Sequence, residues 1–273
     1  IHCPAVMKDQ THKLSKRNGD ASYGDLIEKG YLSPAILNYL ALLGWSPEDN
    51  EEIFPMEEMI RRFNYHRISA SPAIFDQDKL GWMSGEYIKR MPLEKFHELA
   101  LPWYRKVLTR DIDLMELSML LQSRIQFFSE ITGYEKKVLD EGSEEARIEK
   151  VAPIVDFLEE CLPFDAEKYR SKKMKTTPEN SLEALRWCRE KMAGFEDYQD
   201  DEKLQQLFFD IALEHGVKNG RVMWPARIAL SNKISTPGGC AEIAHMLGKE
   251  ESLRRIDQAI NDLEAALAVN QQA

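Results

Sequence analysis

The feature that most constrains the fold of this chain is a succession of capped, helix-periodic apolar segments that fills its last two thirds. Residues 111–131 carry apolar side chains at near-helical spacing, and further segments of this kind begin at Thr177-Pro178, Asp201 and Glu250. Thr and Asp are favoured at helix N-caps, and Pro is favoured at the first helical position. We therefore predict a mainly α chain, with no sheet of three or more strands beyond residue 95.

Other segments beyond residue 95 fit the same pattern. A helix is expected to start at Ser143 and to be kinked or split at Pro153, because Pro interrupts the helical hydrogen-bond ladder. Shorter helices are expected from Trp224 and over residues 239–247. The segment 164–178 is basic and ends in Pro, and is the best candidate for a linker between subdomains.

The first third of the chain mixes shorter elements. A helix is expected from Ser33-Pro34 to Leu43, with Gly44 ending it, and another over residues 55–63. Residues 67–69 suggest a short strand, and Ser84 is a candidate N-cap for a helix that runs to Met91. This alternation predicts a small α/β or α-rich module over roughly residues 20–95.

Composition restricts the class of partner. The 273 residues include 36 Lys and Arg against 46 Asp and Glu, a net charge of −10, so nucleic acid could be bound only through local basic patches. No apolar run reaches the roughly 18–20 residues of a membrane span. The six His are scattered, and no two of Cys3, Cys161, Cys188 and Cys240 form a C-x-x-C pair. We therefore expect reduced cysteines, mostly in the core, and no metal site.

One short basic string suggests chemistry. Lys13-Leu14-Ser15-Lys16-Arg17 places three cations around a hydroxyl, just before Gly19. Ammonium groups on a flexible loop can follow phosphate charge through a reaction. The string is therefore a candidate polyanion site, and an ordinary solvated basic loop is the alternative.

That string resembles the KMSKS signature of class I aminoacyl-tRNA synthetases, in its KLSKR form. Much longer strings resemble bacterial glutamyl-tRNA synthetases, and together they reach across nearly the whole chain: residues 28–46, 69–76, 230–232, 236–238, 247–250 and 253–256. Asn18 stands where many members of that family have His, and nothing here matches their HIGH-type motif.

The resemblance implies a division into four parts. Residues 1–24 would be the tail of the Rossmann catalytic domain, and residues 25–95 the stem-contact α/β module. Residues 96–176 and 177–273 would be two subdomains of an all-helical anticodon-binding cage. Since the chain does not begin with Met, we expect a fragment that starts just before KLSKR.

The same resemblance implies a function. The parent protein would use ATP, with Mg²⁺, to activate glutamate and transfer it to tRNA(Glu), and would be a cytoplasmic monomer. Lys16 is expected to contact the ATP phosphates, Lys13 to support the loop or the leaving pyrophosphate, and Ser15 and Arg17 to assist. Without a HIGH-type motif, the isolated chain is expected to be inactive.

Contacts to tRNA are harder to assign from sequence. The candidates are Arg61, Arg62, Arg105 and Arg221, which stand in clusters of basic residues, and Arg124, which stands in a string that resembles the family. A solvated basic face is the alternative for the clusters, and a helix-packing role is the alternative for Arg124. The five Trp, which sit among apolar neighbours, are expected in the core or between subdomains.

Two other readings stay open. A glutaminyl enzyme of the same class would carry β-barrel anticodon domains, which the helical pattern disfavours. A stand-alone, non-catalytic tRNA-binding module would share the patches but perform no chemistry.

Overall fold

The computed structural model describes residues 4–14, 22–49, 51–138 and 147–270. Within those ranges the chain is mainly α-helical, as the sequence predicts. The helices are α1 (Tyr23–Glu28), α2 (Ser33–Gly44), α3 (Met56–Arg62), α4 (Gln77–Arg90), α5 (Leu93–Tyr104), α6 (Leu114–Leu121), α7 (Asp156–Glu159), α8 (Pro178–Gly194), α9 (Asp201–Glu214), α10 (Gly220–Ser231) and α11 (Cys240–Asn270).

The strands of the described residues form two small two-stranded sheets. Strand β1 (Val6–Met7) pairs in parallel with β2 (Ala73–Ile74). Strand β3 (Tyr134–Val138) pairs antiparallel with β4 (Arg147–Val151), with Tyr134 opposite Val151. In the described part of the chain beyond residue 95, no sheet exceeds two strands.

The chain divides into two compact units. The first unit holds residues 1–104 and 115–153, and the second holds residues 105–114 and 154–273. The segment 164–178, which the sequence suggests as a linker, lies within the second unit. The four-part division predicted from the resemblance stays a prediction.

Each unit has a core of its own. In the first unit, helices α2 and α4 bury a cluster that consists of Leu26, Tyr31, Ile36, Tyr39, Ile53, Leu80, Met83 and Phe127. In the second unit, α8, α9, α10 and α11 pack against one another around fully buried side chains such as Leu185, Phe208, Ile228 and Leu263. Removal of this apolar surface from water is the main force that stabilises both units.

Several helix termini lie where their side chains predict. The Thr177 hydroxyl accepts from the amide of Asn180, while the Asn180 side chain accepts from the amide of Thr177, and Pro178 follows at the first position. Asp200, one residue before the predicted start, caps α9. Residues 239–247 and the segment that begins at Glu250 are predicted as separate helices, and the backbone of α11 is indeed non-helical at Gly248.

Other predicted elements are wrong. Residues 147–151 form β4 rather than part of the helix predicted from Ser143, which itself lies outside the described residues, and α6 covers only Leu114–Leu121 of residues 111–131. Ser84 lies inside α4 and is buried, so Asp76 caps that helix instead. Helix α10 starts at Gly220 rather than at Trp224, and Pro225 lies inside the helix. Residues 67–69 make a single bridge, between Trp45 and Ile68, rather than a strand.

Side-chain burial corrects two further expectations. Trp45 is buried, but Trp82 is 44% exposed on α4 and is not a core residue. Cys188 and Cys240 are buried free thiols, whereas Cys161 is an exposed one; Cys3 lies outside the described residues. None of the described helices is both long and apolar enough to cross a bilayer.

Candidate functional site

The chain enters the basic string from a tight hairpin. The amide of Leu14 donates to the carbonyl of Val6 at 3.0 Å, and the amide of Lys8 donates to the carbonyl of His12 at 2.8 Å. Met7 and Lys13 form an antiparallel bridge between these two bonds. The register of the hairpin therefore fixes where the backbone of Lys13, the first residue of the string, lies.

Asp9 closes the turn of this hairpin. Its carboxylate accepts from the amide of Thr11 at 2.8 Å, the hydroxyl of Thr11 at 2.9 Å and the amide of His12 at 2.8 Å. The backbone bond from Thr11, followed by the bonds from His12, holds the pKa of Asp9 well below its usual range. A turn with this many bonds to one carboxylate gives the basic string a defined starting point.

Strand β1 anchors the hairpin to the first unit. Besides the pairing of β1 with β2, the amide of Phe75 donates to the carbonyl of Met7 at 2.8 Å. The ring of Phe75 packs edge-on against Tyr39, with centroids 5.3 Å apart. Lys13 itself is exposed. Ser15, Lys16 and Arg17 lie outside the described residues, so their roles stay predictions.

Two of the predicted tRNA contacts lie among carboxylates. The guanidinium of Arg62 lies 2.8 Å from Asp49, 2.8 Å from Glu51 and 2.5 Å from Glu58. Arg61, which is more exposed, also pairs with Glu58. These ion pairs hold α3 to the acidic loop before it and neutralise much of its positive charge.

The other predicted contacts differ in exposure. Arg105 and Arg124 are exposed, one in each unit. Arg221 is only 18% exposed, donates to the carbonyl of Asn180 at 2.8 Å and lies 3.8 Å from Glu183. Arg221 therefore joins α10 to the start of α8. Binding of RNA by any of these residues remains a prediction.

A stacked pair on α10 was missed as a site by the sequence reasoning. The guanidinium of Arg227 lies 4.6 Å from the centroid of the Trp224 ring, which is half-buried rather than in the core. The indole nitrogen donates to the carbonyl of Lys168 at 3.0 Å, and Arg227 donates to the carbonyl of Ile234 at 2.7 Å. The i, i+3 spacing of Trp and Arg on one helix was the available signal.

This stacked pair has the chemistry of a base-binding platform. Indole and guanidinium planes can each stack on an unpaired base, and both planes here are fixed by hydrogen bonds. The carbonyl that fixes Trp224 belongs to the segment 168–175, which contains five Lys and Arg and no Asp or Glu. Aromatic and cationic groups therefore adjoin in the second unit.

Comparison with protein families decides the classification. Residues 95–260 match the family model described as an anticodon binding domain. The chain belongs to this anticodon-binding domain family. Residues 1–82 also match the model of the catalytic domain of class I tRNA synthetases (E and Q).

Individual relatives of this chain agree with the predicted resemblance. It is 48% identical over 97% of its length to a glutamate–tRNA ligase of Clostridium botulinum, and 47% identical over 97% to one of Clostridium acetobutylicum. A crystal structure of a glutamate tRNA ligase from Elizabethkingia meningosepticum, in complex with its amino acid, matches 96% of this chain and 51% of its own, with 26% identity and a TM-score of 0.74. The resemblance to glutamyl-tRNA synthetases is thereby confirmed.

The chain spans about half the length of these curated relatives, 50% in each case. Among the residues that the structure describes, no group of three or more His, Cys, Asp or Glu side chains is arranged to hold a metal ion.

Proposed function

We propose that this chain is the part of a glutamate–tRNA ligase that supplies the KLSKR loop and binds tRNA(Glu). The observation that carries the proposal is the 48% identity to a glutamate–tRNA ligase over 97% of the chain. In this reading the parent enzyme acts in the cytoplasm as a monomer, and uses ATP with Mg²⁺.

The proposed reaction has two steps. A carboxylate oxygen of glutamate attacks the α-phosphorus of ATP, the bond to the bridging oxygen breaks, and pyrophosphate leaves. A hydroxyl of the terminal tRNA ribose then attacks the activated carbonyl, and AMP leaves. The ammonium groups of Lys13 and Lys16 would stabilise the negative charge that moves onto the departing pyrophosphate.

The hairpin at residues 6–14 supports the role of Lys13. A cation stabilises the transition state only if it lies within reach of the reacting phosphates. The bonds of Asp9 and the pairing of β1 with β2 fix the backbone up to Lys13, so the exposed Lys13 side chain extends from a defined starting point.

The second unit supports the binding of tRNA. Unpaired anticodon bases need flat partners, and Trp224 with Arg227 offers two stacked planes on α10. We propose that an anticodon base stacks on this pair, while Arg105 and Arg124 contact phosphates.

The stand-alone tRNA-binding module remains the alternative function. A full-length reading frame that joins this chain to a HIGH-type motif would exclude it.

Binding to tRNA(Glu) tests the RNA part of the proposal. We expect the chain to bind a tRNA(Glu) transcript, and Trp224→Ala to weaken binding by about 1–3 kcal/mol, the range for loss of one base–aromatic stack. Trp82→Ala removes another indole, 44% exposed in the first unit, and serves as the control. Equal losses in the two variants would contradict a specific role for Trp224.

A further inference from the structure

The segment that the sequence suggests as a linker forms a small, defined hairpin in the second unit. The amide of Ser171 donates to the carbonyl of Thr176 at 3.1 Å, and the amide of Thr176 donates back at 3.0 Å. The loop between them, residues 172–175, carries exposed Lys172, Lys173 and Lys175. We call residues 171–176 the lysine hairpin.

Local hydrogen bonds define the conformation of the lysine hairpin. The amide of Met174 donates to the hydroxyl of Ser171 at 3.3 Å, and the side-chain amide of Asn180 donates to the carbonyl of Lys175 at 3.3 Å. Lys175 adopts φ 58°, in the left-handed region that residues other than glycine rarely occupy. The surrounding bonds hold Lys175 in that conformation.

Packing against α10 fixes the hairpin further. A Cβ atom built on Gly220 would come within 2.6 Å of the Met174 sulfur, so the Met174 side chain packs directly against the backbone of α10. Arg221, the next residue of α10, donates to the carbonyl of Asn180, and Asn180 in turn holds Lys175.

The three lysines keep their charge available. None of them forms an ion pair with a residue that the structure describes, whereas Lys191 pairs with Glu214 at 2.7 Å and Lys203 pairs with Asp200 at 3.2 Å. Three unpaired ammonium groups on one rigid turn, in a chain of net charge −10, form a local positive patch. A patch of this kind favours a polyanion and is kept in place by its own backbone bonds.

A short stretch of chain joins the lysine hairpin to the stacked pair on α10. Lys168, three residues before Ser171, accepts from the Trp224 indole through its carbonyl and donates through its ammonium group to the carbonyl of Asn232 at 2.9 Å. The chain thus leads from the Trp224 platform directly into the lysine hairpin. Met174 of the hairpin also lies against Gly220, one turn of α10 before Trp224, so the hairpin and the stacked pair adjoin the same helix.

We propose that the lysine hairpin is a phosphate clamp, in which Lys172, Lys173 and Lys175 bind the RNA backbone next to the stacked base. This inference rests on the proposed binding of tRNA. The clamp reads no sequence, because phosphate contacts position an RNA without distinguishing its bases.

The salt dependence of affinity tests the clamp. The dissociation constant of a tRNA(Glu) transcript is measured at several salt concentrations for the unaltered chain, for K172Q/K173Q and for the control K191Q/K203Q. The two double variants change the net charge equally within the same unit. The clamp predicts that K172Q/K173Q makes the negative slope of log K against log[salt] shallower by about 1.4–1.8. Its affinity for the transcript at 0.1 M salt should fall on the order of tenfold.

The control is expected to change the slope little, since its lysines are already neutralised by carboxylates. Equal slope changes in the two double variants, or an unchanged slope in K172Q/K173Q, would overturn the clamp while leaving tRNA binding intact. Failure of the unaltered chain to bind at low salt would overturn the proposed function, and the clamp with it.

A third variant separates charge from folding. Lys175→Gly removes one ammonium group and suits the positive φ better than lysine does. We expect its melting temperature to be equal or higher and its affinity for the transcript to fall by several-fold. Unchanged affinity in a stable K175G chain would remove Lys175 from the clamp.

Discussion

At the scale of single residues, two neighbouring arginines on α11 share one carboxylate in very different surroundings. Arg255 is fully buried and donates to Glu251 at 2.7 Å, to the carbonyl of Phe157 at 2.5 Å and to that of Leu230 at 2.7 Å. Arg254 donates to the same Glu251 but is 53% exposed. Arg255 therefore links α11 to α7 and α10, and Arg254 does not.

Arg255→Ala should destabilise the second unit by about 3–5 kcal/mol, because it leaves the buried carbonyls of Phe157 and Leu230 without this donor and removes the buried partner of Glu251. Arg254→Ala is the matched control and should cost about 1 kcal/mol or less, as exposed ion pairs do. Urea unfolding followed by circular dichroism measures both. Equal losses would contradict the structural role of Arg255.

Glu251 makes stability depend on pH. Hydrogen bonds from Arg254 and then Arg255 lower its pKa from 4.5 to about 2 against the opposing effect of burial. A carboxyl group whose pKa is lower in the folded state contributes its full stabilisation to the folded protein at pH values above its unfolded-state pKa. That stabilisation is lost as the pH falls through the folded-state pKa. We expect the urea midpoint to fall between about pH 4.5 and pH 2, and to fall less steeply in Glu251→Gln. Identical pH profiles would exclude Glu251 as the source.

Lys16 belongs to the proposed chemistry. In the full-length ligase, Lys16→Ala should slow adenylate formation by about 10²–10³-fold, by analogy with loss of one donor to a developing charge. Affinity for tRNA(Glu) should change little, because the contact forms with ATP. Pre-steady-state adenylate formation at saturating ATP measures the effect, and equal rates would remove Lys16 from the mechanism.

At this scale the sequence shows which side chains are present, but it does not show which of them lie in the core. Arg254 and Arg255 stand in a string that resembles glutamyl-tRNA synthetases, but only the phase of α11, with Ser252, Ile256 and Leu263 buried, distinguishes the core arginine from the exposed one. Trp224 looked like a core residue because its neighbours are apolar. Its pairing with Arg227 depends on which side of α10 faces the core, which composition does not show.

At the scale of secondary-structure elements, α11 is interrupted by one glycine. Gly248 has φ 74° and ψ 171°, a backbone conformation almost restricted to glycine. Gly248→Ala should therefore cost about 1–3 kcal/mol, although a Cβ atom there would meet nothing within 4 Å.

Gly194→Ala is the control for Gly248. A Cβ atom on Gly194 also meets nothing within 4 Å, but this residue ends α8 without a positive φ. The substitution should be neutral or stabilise by up to about 1 kcal/mol, since alanine loses less backbone entropy on folding. Thermal unfolding compares the two, and equal shifts would contradict backbone strain at Gly248.

The starts of α8 and α9 are predictable from sequence, because Thr177 and Asp200 cap them through bonds to an amide only three residues away. The β3–β4 hairpin was missed because its strands, with sequences YEKKV and RIEKV, are rich in charge and lack an apolar alternation. Its pairing places Glu135 opposite Lys150 and Lys136 opposite Glu149, so opposite charges face each other across the strands. Such pairing involves residues that are distant in sequence.

At the scale of the whole molecule, residues 1–82 match the catalytic-domain model of class I tRNA synthetases, and the proposed KLSKR loop lies within them. Correct positioning of reactants supplies roughly 7–11 kcal/mol of barrier reduction, and a phosphate-binding loop alone cannot supply it. We expect no glutamate-dependent ATP–pyrophosphate exchange from these 273 residues, with the full-length ligase as positive control. Robust exchange by the chain alone would show that the catalytic assignment is misplaced.

The two units also interleave along the chain, because residues 105–114 belong to the second unit while residues 115–153 return to the first. Thr109 donates its amide to Glu159 at 2.7 Å, and Arg110 lies 3.2 Å from Glu251, so this short segment has specific partners far downstream. A single recombination event in the gene would cut through one unit or the other. Neither unit can therefore be excised, or exchanged for that of a relative, as a single contiguous segment of the chain.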